Sequence, residues 1–233
     1  YSGAKVLTHG VGMESVPMAP PESLGIDHDV EVTVYRSGAA AVSHRVVFRG
    51  EEARQLRRWR RLTEEERTSS VKQLLADIHS GVSEIRYELL GDPRINEPTI
   101  GLNLVYRIPR LADVRPTLLS AKMPWLEFNA WQVGRSERRY PLFWRQPRRD
   151  SVRVSVFPPD GLRLVAGPES DEVRAAVATV EVQSREASGG STSCRMLYNR
   201  PAVGGTREGY FELKKCLVKR AALGQAYWVW ERR

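Results

Sequence analysis

The sequence has few of the residues that most often carry chemistry. Its 233 residues include two cysteines, Cys194 and Cys216, and four histidines, His9, His28, His44 and His79. Two cysteines 22 positions apart match no metal-ligand spacing and cannot complete a structural zinc site alone. The histidines lie in the first third of the chain, with no His-x-x-x-His or His-Glu pair, so no motif supports metal binding. Gly-x-Ser-x-Gly is absent, which removes the usual serine hydrolase signature. Gly189-Gly190 and Gly204-Gly205 lack the strand, loop and Lys-Ser/Thr context of a phosphate cradle, and no cofactor is expected. Nothing approaches the ~20-residue apolar run that a membrane-spanning helix needs. The first residues, Tyr1-Ser2-Gly3, include neither a starting Met nor a signal peptide, so a piece of a longer protein is expected.

Thiol catalysis needs a thiolate, usually at a helix start with an imidazole in reach. Cys216 lies within Leu213-Lys214-Lys215-Cys216-Leu217, past the start of a helix, where the two lysines could lower its pKa. The competing reading is a buried, inert thiol, because cysteine is among the most buried residue types. Cys194 falls in a strand pattern. A disulfide between the two requires a short Cα separation, which spacing does not decide, and two free buried thiols are the other reading. His79, near a helix C-terminus, is explained by the helix dipole. Asp171-Glu172 reads as a solvated loop pair.

Apolar residues make up 41% and charged residues 27%, an ordinary composition for a globular chain with a normal core. The net charge of +8 makes anionic partners plausible: nucleic acid, a membrane surface or an acidic protein. A solvated basic surface is the competing explanation, since acidic residues are interspersed with the arginines.

The pattern along the chain divides it into a lead-in (1–28), a first unit (29–108) and a second unit (109–233). In the lead-in, Lys5 to Thr8 suits a short strand and the prolines from Val16 to Pro21 an extended connector. In the first unit, Val30, Val32 and Val34 alternate, as do Val42, Val46 and Phe48, with Ser37-Gly38 as the hairpin turn. Gly50 opens a helix from about Glu51 to Arg61. Thr63 and Glu66 form a capping box for a second helix that runs to about Ser80 and stops at Gly81, with Val71, Leu74, Leu75 and Ile78 on one face. Strands from Ile85 to Leu90 and from Ile100 to Ile108 follow.

In the second unit, Val152, Val154 and Val156 alternate, Pro158-Pro159-Asp160-Gly161 marks a turn and Leu162 to Val165 resumes the sheet. Val173 to Val182 reads as one strand, Ser188 to Ser191 as a hairpin tip, and Cys194 to Tyr198 as the returning strand. Arg207 to Leu223 reads as a helix with Tyr210, Leu213, Leu217 and Val218 inward, ended by Gly224. Tyr227 to Trp230 closes a sheet. The expected fold class is α+β: two β-rich units with mostly antiparallel sheets, each with a packed helical element, the second sandwich-like.

The strongest binding candidate is the stretch from Arg135 to Arg149. It holds Arg135, Arg138, Arg139, Arg145, Arg148 and Arg149, interleaved with Tyr140, Phe143 and Trp144. Arginines grip phosphates and aromatic rings stack on bases, which suits single-stranded nucleic acid or another anionic surface. The alternative is a strand in which Tyr140, Leu142 and Trp144 point into a core and the arginines face water. The helix arginines (Arg54, Arg57, Arg58, Arg60, Arg61) spread around their helix and make a poorer stripe.

Several segments, in order, resemble the β-rich region that follows the catalytic core in bacterial multidomain transglutaminase-like proteins. They are Val30 to Val34 with Ser37-Gly38, Phe48 to Arg57, Thr63 to Arg67, Arg138-Arg139-Tyr140-Pro141-Leu142, and Val152 to Phe157 with Pro158-Pro159-Asp160-Gly161. Leu162 stands where an aromatic is usual in that family. Phe128-Asn129-Ala130-Trp131 is similar to the core's His-Ala-Trp, but Asn129 replaces the general base and no partner Cys motif precedes it. The resemblance implies a non-catalytic region with its catalytic Cys, His and Asp upstream, a protein partner or that upstream domain as its contact, and a periplasmic or cell-envelope setting.

Overall fold

The structure, a computed structural model, describes residues 5–8, 12–15, 19–92, 95, 97–128, 133, 134, 136, 140–144, 146–187, 190–201 and 204–232. Strands β1 (Lys5–Thr8) and β2 (Gly12–Ser15) form an antiparallel hairpin. β3 (Gly25–Val34) and β4 (Ala40–Arg49) follow as a long antiparallel pair whose alternating valines are buried. Gly38 makes their turn. Its φ is +83°, and its carbonyl accepts from the backbone N–H of Leu111 and Ala112 at 2.9 and 3.0 Å. A Cβ there would lie 2.4 Å from the Ala112 carbonyl oxygen, so only glycine permits this clasp.

Helix α1 (Glu51–Arg57) tightens into a 3-10 turn over Arg58–Arg61. Thr63 then caps α2 (Glu64–Ala76) with the expected box: Glu66 N–H donates to Thr63 Oγ1, and Thr63 N–H donates to Glu66 Oε2 at 2.7 Å. Val71 and Leu75 are buried, with Leu74 and Ile78 packed beside them. The helix ends at Ala76, earlier than the pattern predicts. The His79 ring accepts from the Gly81 N–H at 3.1 Å, a local bond that competes with helix continuation. β5 (Ser83–Leu90) and β6 (Thr99–Ile108) complete this part.

Next come β7 (Ala112–Val114), β8 (Leu118–Lys122), a 3-10 turn at Pro124–Leu126, and β9 (Leu142–Phe143). β10 (Arg148–Phe157), β11 (Leu162–Ala166), β12 (Asp171–Arg174), β13 (Thr179–Glu186), β14 (Thr192–Arg200) and β15 (Gly204–Gly205) lead to α3 (Gly209–Gln225) and β16 (Tyr227–Arg232). The run expected as one strand from Val173 to Val182 is two, because the chain turns between Ala175 and Ala178 and buries Val177 and Ala178 there. Gly224 lies inside α3 rather than ending it. A Cβ there would sit 2.6 Å from Glu127 Cα, so glycine lets the helix press against the Pro124–Leu126 turn. Val218 is exposed and Cys216 is buried in its stead, since position 216 falls closer to the Leu213–Leu217 face of a 3.6-residue helix.

The fold is α+β, with two principal sheets that are mostly antiparallel. The larger has eight strands in the order β12-β13-β14-β10-β3-β4-β6-β5. Among the described residues its only parallel pair is β3 with β10, where Val30 faces Val154 and Val32 faces Val156. That pair joins strands from both halves of the sequence into one sheet. The smaller sheet runs β11-β16-β8-β7. Trp228 and Trp230 of β16 and Leu119 and Ala121 of β8 share one core with the valines of β3, β4 and β10. The outer face of the large sheet is polar, the usual arrangement when one face of an antiparallel sheet meets water. Among the described residues, no helix is long and apolar enough to cross a membrane.

Candidate functional site

The inward phase of three strands places polar side chains where apolar ones are expected. On β3, His28 falls in register with Val30 and Val32. On β4, His44 lies between Val42 and Val46. On β10, Asp150 precedes Val152, Val154 and Val156. These positions build a buried polar seam on either side of the β3–β10 joint.

The ionic part centres on Asp150, which is 3% exposed. It accepts from Arg148 Nε at 3.0 and 2.8 Å, from Arg220 Nη1 at 3.2 Å and from the Ile26 N–H at 3.3 Å. Arg148 also reaches Glu52 of α1 at 2.8 Å. Burial alone would raise the Asp150 carboxyl. The charges of Arg148 and Arg220, with these hydrogen bonds, outweigh it and hold the carboxyl below its ordinary value. Arg220 comes from α3, with its guanidinium 4.1 Å from the centre of the Phe128 ring and 5.0 Å from that of Tyr198. Arg220 lies deeper than Arg148. Burial lowers the pKa of Arg220, whereas Asp150 and Glu52 outweigh burial and raise that of Arg148.

Gly25 lets the strands approach here. Its φ is +117°, and an added Cβ would lie 2.0 Å from the Arg149 carbonyl oxygen. That oxygen accepts from Arg49 Nη2 at 3.1 Å, and Arg49 is also ion-paired with Asp27.

The neutral part is a row of rings. His28 Nδ1 and His44 Nε2 are 2.9 Å apart, the Tyr106 hydroxyl lies 3.5 Å from His44 Nδ1, and Trp125 Nε1 donates to that hydroxyl at 2.8 Å. Burial lowers His28 to about 4, against the raising influence of Asp150 and Asp27. Burial and its neighbour His28 lower His44 to about 3. Both imidazoles are therefore neutral at pH 7, and one ring nitrogen can donate to the other.

The thiols stand apart from both groups. Cys194 and Cys216 are free and buried. Burial pushes Cys194 up to about 11. Burial and Glu212 also raise Cys216, whose Sγ donates to the carbonyls of Ala178 and Val173 at 3.4 and 3.6 Å. The lysines that could lower Cys216 do not do so: burial and then Glu212 raise it, and Lys215 is engaged with Glu212 at 2.9 Å. Among the described residues, no three His, Cys, Asp or Glu side chains converge as a metal site.

Of the predicted binding stretch, Arg135, Arg138, Arg139 and Arg145 lie outside the described residues, as do 129–131 of the Phe128-Asn129-Ala130-Trp131 segment. Arg148 is paired with Asp150 and Glu52, with 37% of its side chain still exposed. Arg149 lines a shallow groove on the outer sheet face with Glu181, Gln183 and Arg195. Trp144 is half-buried, with the Arg200 guanidinium 4.3 Å from its ring centre. The inward alternation expected of this segment fails at Tyr140, which is 79% exposed. Phe143, in the two-residue strand β9 paired with Gly204-Gly205, is 81% exposed. The residues that motif reading passes over are Asp150, Arg220, His28 and His44. Their signal is phase: a charged or imidazole side chain on the inward register of an otherwise valine-rich strand.

Comparison with known proteins leaves the family open. No family model matches the chain, and no curated protein matches it. A crystal structure from Parabacteroides distasonis ATCC 8503, described as a "putative protease", is similar with a TM-score of 0.42 and 12% identity over 50% of this chain. The chain spans only 24% of that structure, and a likeness at this level defines neither a shared fold nor a shared activity.

Proposed function

We propose that this chain is a non-catalytic structural and interaction region of a transglutaminase-like protein, one that positions a catalytic core or binds a partner. One observation carries the reading: the described side chains best suited to chemistry are partnered within the core. The His28–His44 pair is hydrogen-bonded and neutral, both thiols are buried with raised pKa, and Asp150 is held by two arginines. Such groups rigidify a fold. The ordered sequence motifs supply the family. The test is the reading frame that encodes the chain. A Cys-His-Asp core encoded just upstream is expected, and its activity or stability should fall when this region is deleted. An upstream frame without such a core removes the reading.

A second reading is favoured by Tyr140 and Phe143, whose rings are almost fully exposed beside the arginine-rich segment. This segment would bind single-stranded nucleic acid or another anionic surface by stacking and charge. Fluorescence polarisation with labelled oligonucleotides across a salt series tests it. Binding that weakens steeply with salt supports it, and no binding at low salt ends it.

A further inference from the structure

At one end of the molecule, three turns and a strand end converge on an open cleft of about 160 Å³. Arg36 enters from the β3–β4 turn, Arg115 from the β7–β8 turn, Asp160 from the β10–β11 turn and Arg232 from the end of β16. The wall between them is apolar and includes Pro116, Leu118, Pro159 and Leu162. The site is rigidly framed. The turn that carries Arg36 is held by the Gly38 clasp, and the Arg232 N–H donates to the Thr117 carbonyl at 3.0 Å.

The charges are unbalanced. Arg115 pairs with Asp113 at 3.4 Å, and Glu231 is occupied by Arg163 at 2.9 Å. Among the described residues, neither Arg36 nor Arg232 has a side-chain hydrogen bond or ion pair. Three guanidiniums against Asp113 and Asp160 leave one positive charge. A monoanion balances it, whereas a phosphate dianion overshoots.

We propose that this cleft binds a carboxylate carried on a small apolar body, with the carboxylate between Arg36 and Arg232 and the body against Pro116, Leu118, Pro159 and Leu162. Guanidinium matches carboxylate geometry and forms charge-assisted hydrogen bonds. The volume suits the body, since an apolar cavity of about 150 Å³ accommodates benzene. The same chemistry is presented by a free small acid and by the C-terminal carboxylate of a peptide that ends in an apolar residue.

Backbone amide NMR titration of the whole chain tests this with benzoate, benzyl alcohol, inorganic phosphate and a short peptide ending in leucine. Shifts confined to residues 36, 114, 115, 117–119, 160–162 and 232 are expected with benzoate. Benzyl alcohol and phosphate should each bind at least about tenfold more weakly, the equivalent of one lost charge-assisted contact. Arg36→Gln and Arg232→Gln should each weaken benzoate by about tenfold with unchanged melting temperature, because both side chains are exposed. Tighter binding of the peptide assigns the site to a chain terminus, and tighter binding of benzoate assigns it to a free acid. The proposal is overturned if neither binds, if benzyl alcohol or phosphate binds as well as benzoate, or if the glutamine variants leave benzoate affinity intact.

Discussion

The two sides of the β3–β10 joint bury polar groups in opposite ways. Toward β4 and β6, the interior holds neutral rings: His28, His44, Tyr106 and Trp125. Toward β14 and α3, it holds ions: Asp150, Arg148 and Arg220, with Glu52 at the margin. A neutral network is cheap to bury while every donor has an acceptor, but it fails once a proton is added. An ionic cluster tolerates mild acid, because its carboxylate holds its charge to lower pH, but it fails when one partner is removed. One sheet therefore contains two interiors that respond to different perturbations.

The largest expected effect separates them by pH. The two histidines have folded pKa values of about 4 and 3, below the ordinary 6.5. The unfolded chain therefore binds more protons, so their stabilisation is complete above pH 6.5 and is lost as pH falls toward 4. Groups facing His28 include Asp150, Asp27 and Arg220, and the first two soften the effect without reversing it. The loss between pH 7 and 4.5 should be on the order of 5 kcal/mol, measured by urea unfolding at each pH. Asp150 is also held below its ordinary value, but its contribution is lost only as pH falls below the usual carboxylate range. Replacing both histidines with leucine should flatten the upper window and leave the lower one.

Next in size is Asp150→Ala, which leaves Arg148 and Arg220 without their shared carboxylate. A loss of about 3–5 kcal/mol at pH 7 is expected. The loss should be much smaller in an Arg148→Met, Arg220→Met background, which a double-mutant cycle would measure.

These polar positions also mark how much the sequence discloses. Strand alternation, the Ser37-Gly38 turn and the Thr63–Glu66 capping box are local features, and each places its element correctly. The β3–β10 pairing is not local. It joins residues more than a hundred positions apart, and its marker, Gly25, is an ordinary glycine until the Arg149 carbonyl is seen against it. Gly224 misleads for a similar reason, since a close helix contact and a helix stop use the same residue. Val173 to Val182 hides a turn because Val177 and Ala178 are buried within it. The arginine stretch suggests a single surface, yet Arg148 is tied to the core margin through Glu52, a partner 96 residues away.

Smaller effects sharpen the comparison. Gly25→Ala forces a methyl group into the Arg149 carbonyl at a backbone angle that L-residues disfavour, and a loss of about 3 kcal/mol is expected by thermal unfolding. Because it strains the joint itself, it should weaken both interiors and leave the pH profile unchanged in shape. Tyr106→Phe removes the acceptor for the Trp125 N–H and should cost about 1–2 kcal/mol, confined to the neutral side and insensitive to Asp150→Ala.

The most direct test of whether this chain keeps a reactive group in its folded state is thiol labelling. Native protein treated with a disulfide reagent at pH 8 should leave Cys194 and Cys216 unmodified over a time in which urea-unfolded protein reacts at both, with native labelling tracking the unfolding equilibrium. Rapid modification of either thiol in the folded chain, with a rate that levels off below pH 7, would reveal an activated thiolate and contradict the structural reading.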